Sequence, residues 1–379
     1  MTMQSSFSIR YRCAAALLLL ACLAAEVRAD APALKVSGFL SVVGGKVFGR
    51  NADRYEGPSL IAGHPCPCYV SDWGNAGVYE EKVSLKPESR AGLQVKYTVS
   101  EQVSAVAQLV LRGADPQPRV QWAYASYAPS NSLEVQAGRK RIPLYYYSDV
   151  QDIGAAYPWV GVPPELYGWE ATNYNGASLR YRVELGKTAL SASLFGGRET
   201  LGNSLYQKLY YEGTTKVQWD RLRGADVELV RGPLTMRAVY MQADVSSQNA
   251  AVEIDEGARL KAYGLAAKLE FEHWLVLSEV TRLTRDFNAG FRASAPAFTV
   301  GVGYRYGQWT PFLNVARYLD HTNAPEMYES QSIKRTSLTL RYDIDLGSSL
   351  KAQVDRHTDL TRNFGGDVHV VRLAYDRLF

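Results

Sequence analysis

Ala177-Ser178-Leu179-Arg180-Tyr181-Arg182-Val183-Glu184-Leu185 alternates apolar and polar side chains without a break. A helix would scatter these charges around its circumference. An extended strand instead sends Ala177, Leu179, Tyr181, Val183 and Leu185 to one side and Ser178, Arg180, Arg182 and Glu184 to the other. The division recurs where Phe298, Val300, Val302, Tyr304 and Tyr306 alternate with Thr299, Gly301, Gly303 and Arg305. It recurs again where Leu338, Leu340, Tyr342 and Ile344 alternate with Ser337, Thr339, Arg341 and Asp343. Segments of about ten residues with one apolar and one polar face are the mark of strands that cross a membrane, one side on lipid and the other on an aqueous lumen.

Working outward in both directions, the pattern predicts sixteen such segments. In the first half they lie near 34–43, 90–99, 104–112, 120–127, 133–142, 174–185, 188–196 and 222–230. In the second half they lie near 234–243, 259–271, 274–285, 297–306, 310–319, 335–344, 349–357 and 368–379. An even number suits closure of a single-chain antiparallel barrel. The connections alternate strictly in length. Ser100-Glu101, Gly186-Lys187, Glu272-His273 and Gly307-Gln308 are tight, whereas 44–89, 143–173, 197–221, 244–258, 286–296 and 320–334 are long. A soluble sandwich has no reason to gather its long loops at one end, but a membrane barrel has short periplasmic turns and long extracellular loops.

Composition agrees with this class. The 379 residues are 46% hydrophobic and 21% charged, which rules out a disordered chain, and 25 Tyr and 31 Gly beside only 5 Met suit strands and turns. The formal net charge of +4 is too balanced for a nucleic-acid-binding protein. No stretch after the first 29 residues reaches the roughly 18 apolar residues of a spanning helix. At the amino terminus, Arg10 and Arg12 precede an apolar run from Cys13 to Ala25, and Val27-Arg28-Ala29 offers small residues at a cleavage spacing. Residues 1–29 therefore read as a secretory signal peptide and 30–379 as one barrel domain. A lipoprotein signal acylated at Cys22 is disfavoured by Leu20.

At the other terminus, counting back by twos from Phe379 gives Arg377, Tyr375, Leu373 and Val371. The face is apolar but for Arg377, and it is similar to the carboxy-terminal assembly signal of Gram-negative outer-membrane barrels, with Tyr375 and Phe379 as its aromatic positions. With the export signal, the sixteen segments, the opening strand Leu34-Lys35-Val36-Ser37-Gly38-Phe39-Leu40 and Phe379 together, the chain resembles the Gram-negative general porins over nearly its whole mature length. The resemblance implies a 16-stranded all-β transmembrane barrel in the outer membrane, set among lipid and lipopolysaccharide and assembled as a homotrimer. It also implies a third long loop folded into the lumen, and passive diffusion of small hydrophilic solutes and ions through a water-filled channel. That loop would be 143–173, and its acids Asp149, Asp152 and Glu165 are the wall residues the resemblance implies for a constriction.

The polar face of the strands carries Arg180, Arg182, Arg237, Arg305, Arg341 and Arg372 as pore-wall residues, mixed with Glu184, Asp226, Glu228 and Asp343. Arginines opposite carboxylates set up a transverse field that orders polar solutes. The densest basic feature is Arg139-Lys140-Arg141 at the start of the third loop. Strict alternation sends Lys140 inward and Arg139 and Arg141 toward lipid. Charge there costs roughly 2 to 4 kcal/mol at mid-depth, so either the strand has left the membrane or a bulge turns the pair into the lumen. We place the cluster at the constriction.

Cys66-Pro67-Cys68, beside His64, lacks four ligands at metal spacing, which leaves a local disulfide or a pair of loop thiols. The remaining histidines are scattered, no catalytic constellation stands out, and no cofactor is implied. The expectation is a non-enzymatic porin. A solute-specific channel for anions or sugars, a barrel-fold hydrolase and a surface scaffold with a plugged lumen are the alternatives.

Overall fold

A computed structural model describes residues 33–49, 61–115 and 117–379. The expected signal peptide lies outside the described residues. Strand β1 (Leu34–Phe48) is followed by a small hairpin, β2 (Tyr69–Asp72) and β3 (Gly77–Tyr79). Then come β4 (Arg90–Thr98), β5 (Val103–Arg112), β6 (Arg119–Tyr127) and β7 (Leu133–Arg141). After the third loop follow β8 (Asn173–Leu185), β9 (Thr188–Leu201), β10 (Lys216–Arg231), β11 (Leu234–Asn249), β12 (Ile254–Glu270) and β13 (Trp274–Phe287). The set ends with β14 (Arg292–Tyr304), β15 (Trp309–Leu319), the two-residue β16 (His321–Thr322), β17 (Ser332–Asp345), β18 (Ser348–Asp359) and β19 (Val368–Leu378). Apart from β2, β3 and β16, these are sixteen staves, each antiparallel to the next.

The sheet closes because β1 pairs on one edge with β4, Val36 opposite Val95, and on the other with β19, Val42 opposite Tyr375. No stave is left with an unpaired edge, which is what hydrocarbon demands of a spanning sheet. Phe379 completes the seam, its N–H donating to the Gly38 carbonyl at 3.0 Å while Gly38 N–H donates to the Phe379 carbonyl at 2.6 Å. A side chain at position 38 would lie 2.5 Å from the Phe379 ring, so the close approach requires glycine.

The outward face is apolar through its middle, with Leu194, Leu338 and Leu373 each about three-fifths exposed to the surroundings of the barrel. At the short-turn end it carries an aromatic belt that includes Tyr97, Tyr127, Trp274, Tyr304, Trp309, Tyr342 and Tyr375. Neighbouring rings in the belt touch, Trp274 with Tyr304 at 4.9 Å and Trp309 with Tyr342 at 4.6 Å. Arg377, the odd member of the terminal face, pairs with Asp345 at 2.9 Å in the turn below and is thereby kept at the rim. No helix among the described residues is long and apolar enough to cross a membrane, which says nothing about crossing by strands.

Three differences from the expected segments have physical causes. In β10 the expected strand begins at Leu222, but the structure extends it back to Lys216 through a register shift between Trp219 and Leu222, with Arg221 at φ 49°. That bulge reverses the alternation, putting Val217 and Trp219 on the same face as Leu222 and hiding the strand from a period-2 reading. The expected long loops 244–258 and 286–296 are mostly strand, since β11 and β12 stay paired out to Asn249 opposite Ile254 and β13 and β14 out to Asp286 opposite Arg292. The first long connection carries the β2–β3 hairpin, whose short paired run gave no periodic signal.

Candidate functional site

The third loop, 142–172, begins where β7 ends and contains two 3-10 turns, Ser148–Val150 and Gly154–Ala156, and a short helix α1 (Pro164–Tyr167). Local chemistry shapes it. Ser148 Oγ accepts the Tyr145 N–H at 2.9 Å to close the first turn, and Pro164 opens α1 at a position where a missing N–H costs nothing. A loop lying inside a barrel exposes backbone groups that neither ladder nor bulk water satisfies, so they need partners on the wall.

Those partners are inward-facing side chains of many staves. Arg237 donates to the Pro143 carbonyl at 3.2 Å, Arg341 to those of Ala155 and Tyr157 at 2.9 and 3.0 Å, and Lys351 to those of Gly154 and Trp159 at 2.6 and 2.8 Å. Gln353 accepts the Val160 N–H at 2.9 Å, and Glu279 accepts the Tyr146 N–H at 3.0 Å and the Tyr167 hydroxyl at 2.7 Å. Apolar contact adds to this, because Tyr145, Tyr147, Trp159 and Leu166 share a buried cluster with Val239, Met241, Leu260, Leu275 and Phe312 of the wall. The Trp159 and Phe312 rings meet edge to face at 5.5 Å.

Two of the three expected loop carboxylates are consumed by arginines. Asp152 takes Arg112 at 2.6 Å and Arg141, with Arg90 at 3.9 Å. Glu165 takes Arg335 at 2.9 Å, and the chain continues through Asp355 and Arg372 to Glu88 in links of 2.8 to 2.9 Å. All of these groups are buried, so the network is costly to break at any one member. Asp149, by contrast, is exposed at the edge of the loop and lies within electrostatic reach of Lys140, Tyr124 and Tyr174.

Of the expected basic cluster, Lys140 faces inward and donates to Ser178 Oγ at 2.7 Å. Arg139 is held by Glu199 at 2.6 Å and the Val120 carbonyl at 2.8 Å. Alternation alone sends Arg141 to lipid, and the structure corrects this: β7 ends at Arg141, the chain bends into the barrel, and the side chain turns onto Asp152. The expected wall arginines divide by what they touch. Arg237, Arg341 and Arg372 hold the loop or the buried network, and Arg305 pairs with Glu270 at the short-turn rim. Arg180, donating to Ser193 at 3.1 Å, and Arg182, paired with Glu134 at 3.3 Å, remain accessible to solvent. Tyr375 sits in the aromatic belt and Phe379 at the seam.

The sequence reading missed several contributors. Arg90, Arg112 and Arg335 lie on the inward parity of their strands, as Gln108 and Ser337 do, and following the alternation to the ends of the expected segments 90–99, 104–112 and 335–344 would have found them. Glu88 and Glu279 gave less signal, the first being in a loop and the second on a strand whose inward face also carries the buried Leu275, Leu277 and Leu283. The first loop also folds over the mouth. Tyr69 lies over the Arg372 guanidinium at 5.4 Å, burial raising its hydroxyl well above the ordinary range, and Trp73 stacks on Tyr210 of the fourth loop at 6.1 Å. Cys66 and Cys68 are joined as a disulfide, and the Cys68 N–H donates to the Gly365 carbonyl of the last loop at 2.7 Å. Among the described residues no cluster of side chains has the make-up of a metal site.

The wall of β4 to β9 remains accessible inside the barrel. Gln94, Tyr124, Glu134, Gln136, Lys140, Arg180 and Arg182 line it, with Asp149 facing them from the loop. A closed antiparallel barrel of sixteen staves, apolar outside and bridged inside by the third loop, defines the architecture of the outer-membrane porins.

Comparison with solved structures agrees. The chain is similar to the outer membrane channel DcaP of Acinetobacter baumannii, at 13% identity and a TM-score of 0.61, covering 94% of this chain and 100% of that one. It is similar to an anion-selective porin from Comamonas acidovorans, at 13% identity and a TM-score of 0.58, covering 92% and 100%. It is also similar to OmpT of Vibrio cholerae in a trimer form, at 12% identity and a TM-score of 0.59, covering 92% and 100%. No protein-family model and no curated protein matches the sequence. The chain thus has the porin fold, with a sequence far from that of the porins it is similar to.

Proposed function

We propose that the protein is an outer-membrane channel through which small hydrophilic solutes and ions diffuse passively, with no covalent step. The observation that carries this reading is the contrast inside the lumen: a loop fixed to one wall leaves beside it an inward surface of accessible polar and charged side chains on β4 to β9. In this reading Lys140, Arg180, Arg182 and Asp149 border the narrowest water, while Arg141, Asp152 and Glu165 fix the loop that makes it narrow. Residues 1–29 direct export. The outward faces of β5 to β8 are rich in alanine, at Ala105, Ala107, Ala123, Ala125, Ala137 and Ala177, and offer a flat contact for a trimer.

The charge balance favours anions. Asp152 and Glu165 are neutralised by arginines, whereas Lys140 and Arg180 have no carboxylate within ion-pair distance among the described residues. Cations lining a passage raise the local concentration of anions. Purified protein in a planar bilayer under a salt gradient tests both parts. We expect stepwise openings and a reversal potential of the sign set by anions. Insertion without current would overturn the channel, and a cation-signed potential would overturn the preference.

A further inference from the structure

On the side where the third loop closes the lumen, a set of inward side chains above the loop is left uncommitted at the long-loop mouth. Arg285 is at its centre. It holds the inward parity of β13, opposite Leu260 and Ala293, two positions beyond Leu283 of the buried cluster that seats the loop. Arg237, Arg335, Arg341 and Arg372 are each spent on the loop or on a carboxylate. Arg285 makes no hydrogen bond or ion pair with any described residue, and it is only half-buried. Tyr206 of the fourth loop, Tyr318 of β15, Tyr328 of the loop 320–331, Glu170 and Asp320 all lie within its electrostatic reach.

The acids of this cup are not paired with the arginine. Glu170 accepts the Ser204 hydroxyl at 2.9 Å, and Asp320 accepts the Tyr328 hydroxyl at 2.7 Å while its buried Oδ1 has no partner. The Tyr318 hydroxyl is also without a partner among the described residues, although its ring packs against the cluster that seats the loop. Beside these groups Trp73, Tyr206 and Tyr210 bring three rings together, with centroids 5.3 to 6.4 Å apart. Tyr145 and Trp169 of the third loop, in edge contact at 6.2 Å, belong to the same packed cluster as Leu283 and floor the cup. The charges say what fits. An anion set against Arg285 comes within reach of Glu170 and Asp320, and an ammonium set against those acids comes within reach of Arg285, so neither gains a clean ion pair. A neutral polyol meets no such conflict. A guanidinium has only donors and a carboxylate only acceptors, and a hydroxyl can serve both at once. Aromatic rings beside a few convergent polar groups supply the apolar contact for its C–H faces.

We propose that this cup is a binding site for a neutral sugar, held at the mouth apart from the passage along β4 to β9. The inference rests on the outer-membrane reading only for which side the cup faces, since binding there requires no conduction. The test uses the full folded barrel in a detergent without a sugar head group. Glucose, glucuronate and glucosamine serve as neutral, anionic and cationic probes of one ring, and binding is read by saturation-transfer difference NMR. Wild type is expected to bind glucose saturably and more tightly than either charged sugar. R285M should weaken glucose at least about tenfold, and Y318F, which removes one free hydroxyl and little packing, about two- to tenfold, each keeping the electrophoretic mobility of the folded barrel. Should R285M fail to fold, Y318F decides alone. A wild type that shows no saturable glucose binding would overturn the proposal, as would glucose binding unchanged in the folded variants. Tightest binding of glucuronate or of glucosamine would reassign the cup to a charged solute and overturn it as well. A barrel that conducts but does not bind glucose overturns the cup alone, whereas one that binds glucose through Arg285 and Tyr318 but never conducts supports the cup and overturns the channel.

Discussion

The inward faces of β17 to β19 and of β6 to β9 are both polar, yet they do opposite things. On β17 to β19, Arg335, Thr339, Lys351, Gln353, Asp355 and Arg372 are almost wholly buried, each hydrogen-bonded to the loop or to a neighbour. On β6 to β9, Gln136, Lys140 and Arg180 have partners on the same or the adjacent strand and remain open to water. The difference teaches that polarity toward the lumen does not by itself mark a passage. Where a loop brings carboxylates and carbonyls, inward arginines become cement. Where it does not, they remain available to a solute.

If that contrast is right, breaking the buried side has the largest effect. Replacing Arg335 by Met strands Glu165 as an uncompensated buried charge and leaves Asp355 with Arg372 alone, and we expect a loss of about 3 to 5 kcal/mol in urea titration of the folded barrel, with noisier and larger conductance as the loop loosens. W159A removes the ring that seats the loop against Phe312 and should cost a comparable or somewhat smaller amount, about 3 to 5 kcal/mol before any collapse of the site, by the same titration.

The open side should respond in the other currency. K140E/R180E is expected to leave stability within about 0.5 kcal/mol while shifting the reversal potential toward cations. A large stability loss in that double variant would mean that the open wall is packed after all. At the rim, R377Q breaks an exposed pair with Asp345 and should cost about 0 to 1 kcal/mol, visible only as a small fall in the midpoint of unfolding.

Much of the architecture was legible in the sequence, and for a simple reason: a stave with lipid on one side and polar groups on the other must alternate. The runs 177–185 and 298–306 are unbroken because the rest of the chain leaves their apolar faces exposed. Legibility failed where a second contact intruded. At β13 the strand itself was legible, near 274–285, but its facing was not: the loop covers the lumenal face, so Leu275 and Leu277 face inward while Val276 faces out, and both sides read as apolar. At β10 a bulge changes the phase at Asp220 and Arg221. The position of the third loop and its acidic residues was readable, but not which wall they join: Glu165 meets Arg335 across 170 residues of sequence, and no local pattern encodes that. Arg141 defied alternation because its backbone leaves the strand there.

The division between the two walls is tested most directly by thiol accessibility. Gln136 on the open wall and Thr339 on the buried one are each replaced by Cys, in a protein whose Cys66 and Cys68 are bonded to each other, and single-channel current is followed as a negatively charged methanethiosulfonate reagent is added. The account predicts a stepwise loss of current for Q136C and none for T339C. Block of T339C with Q136C unaffected would contradict it, and place the solute path on the side assigned here to the loop.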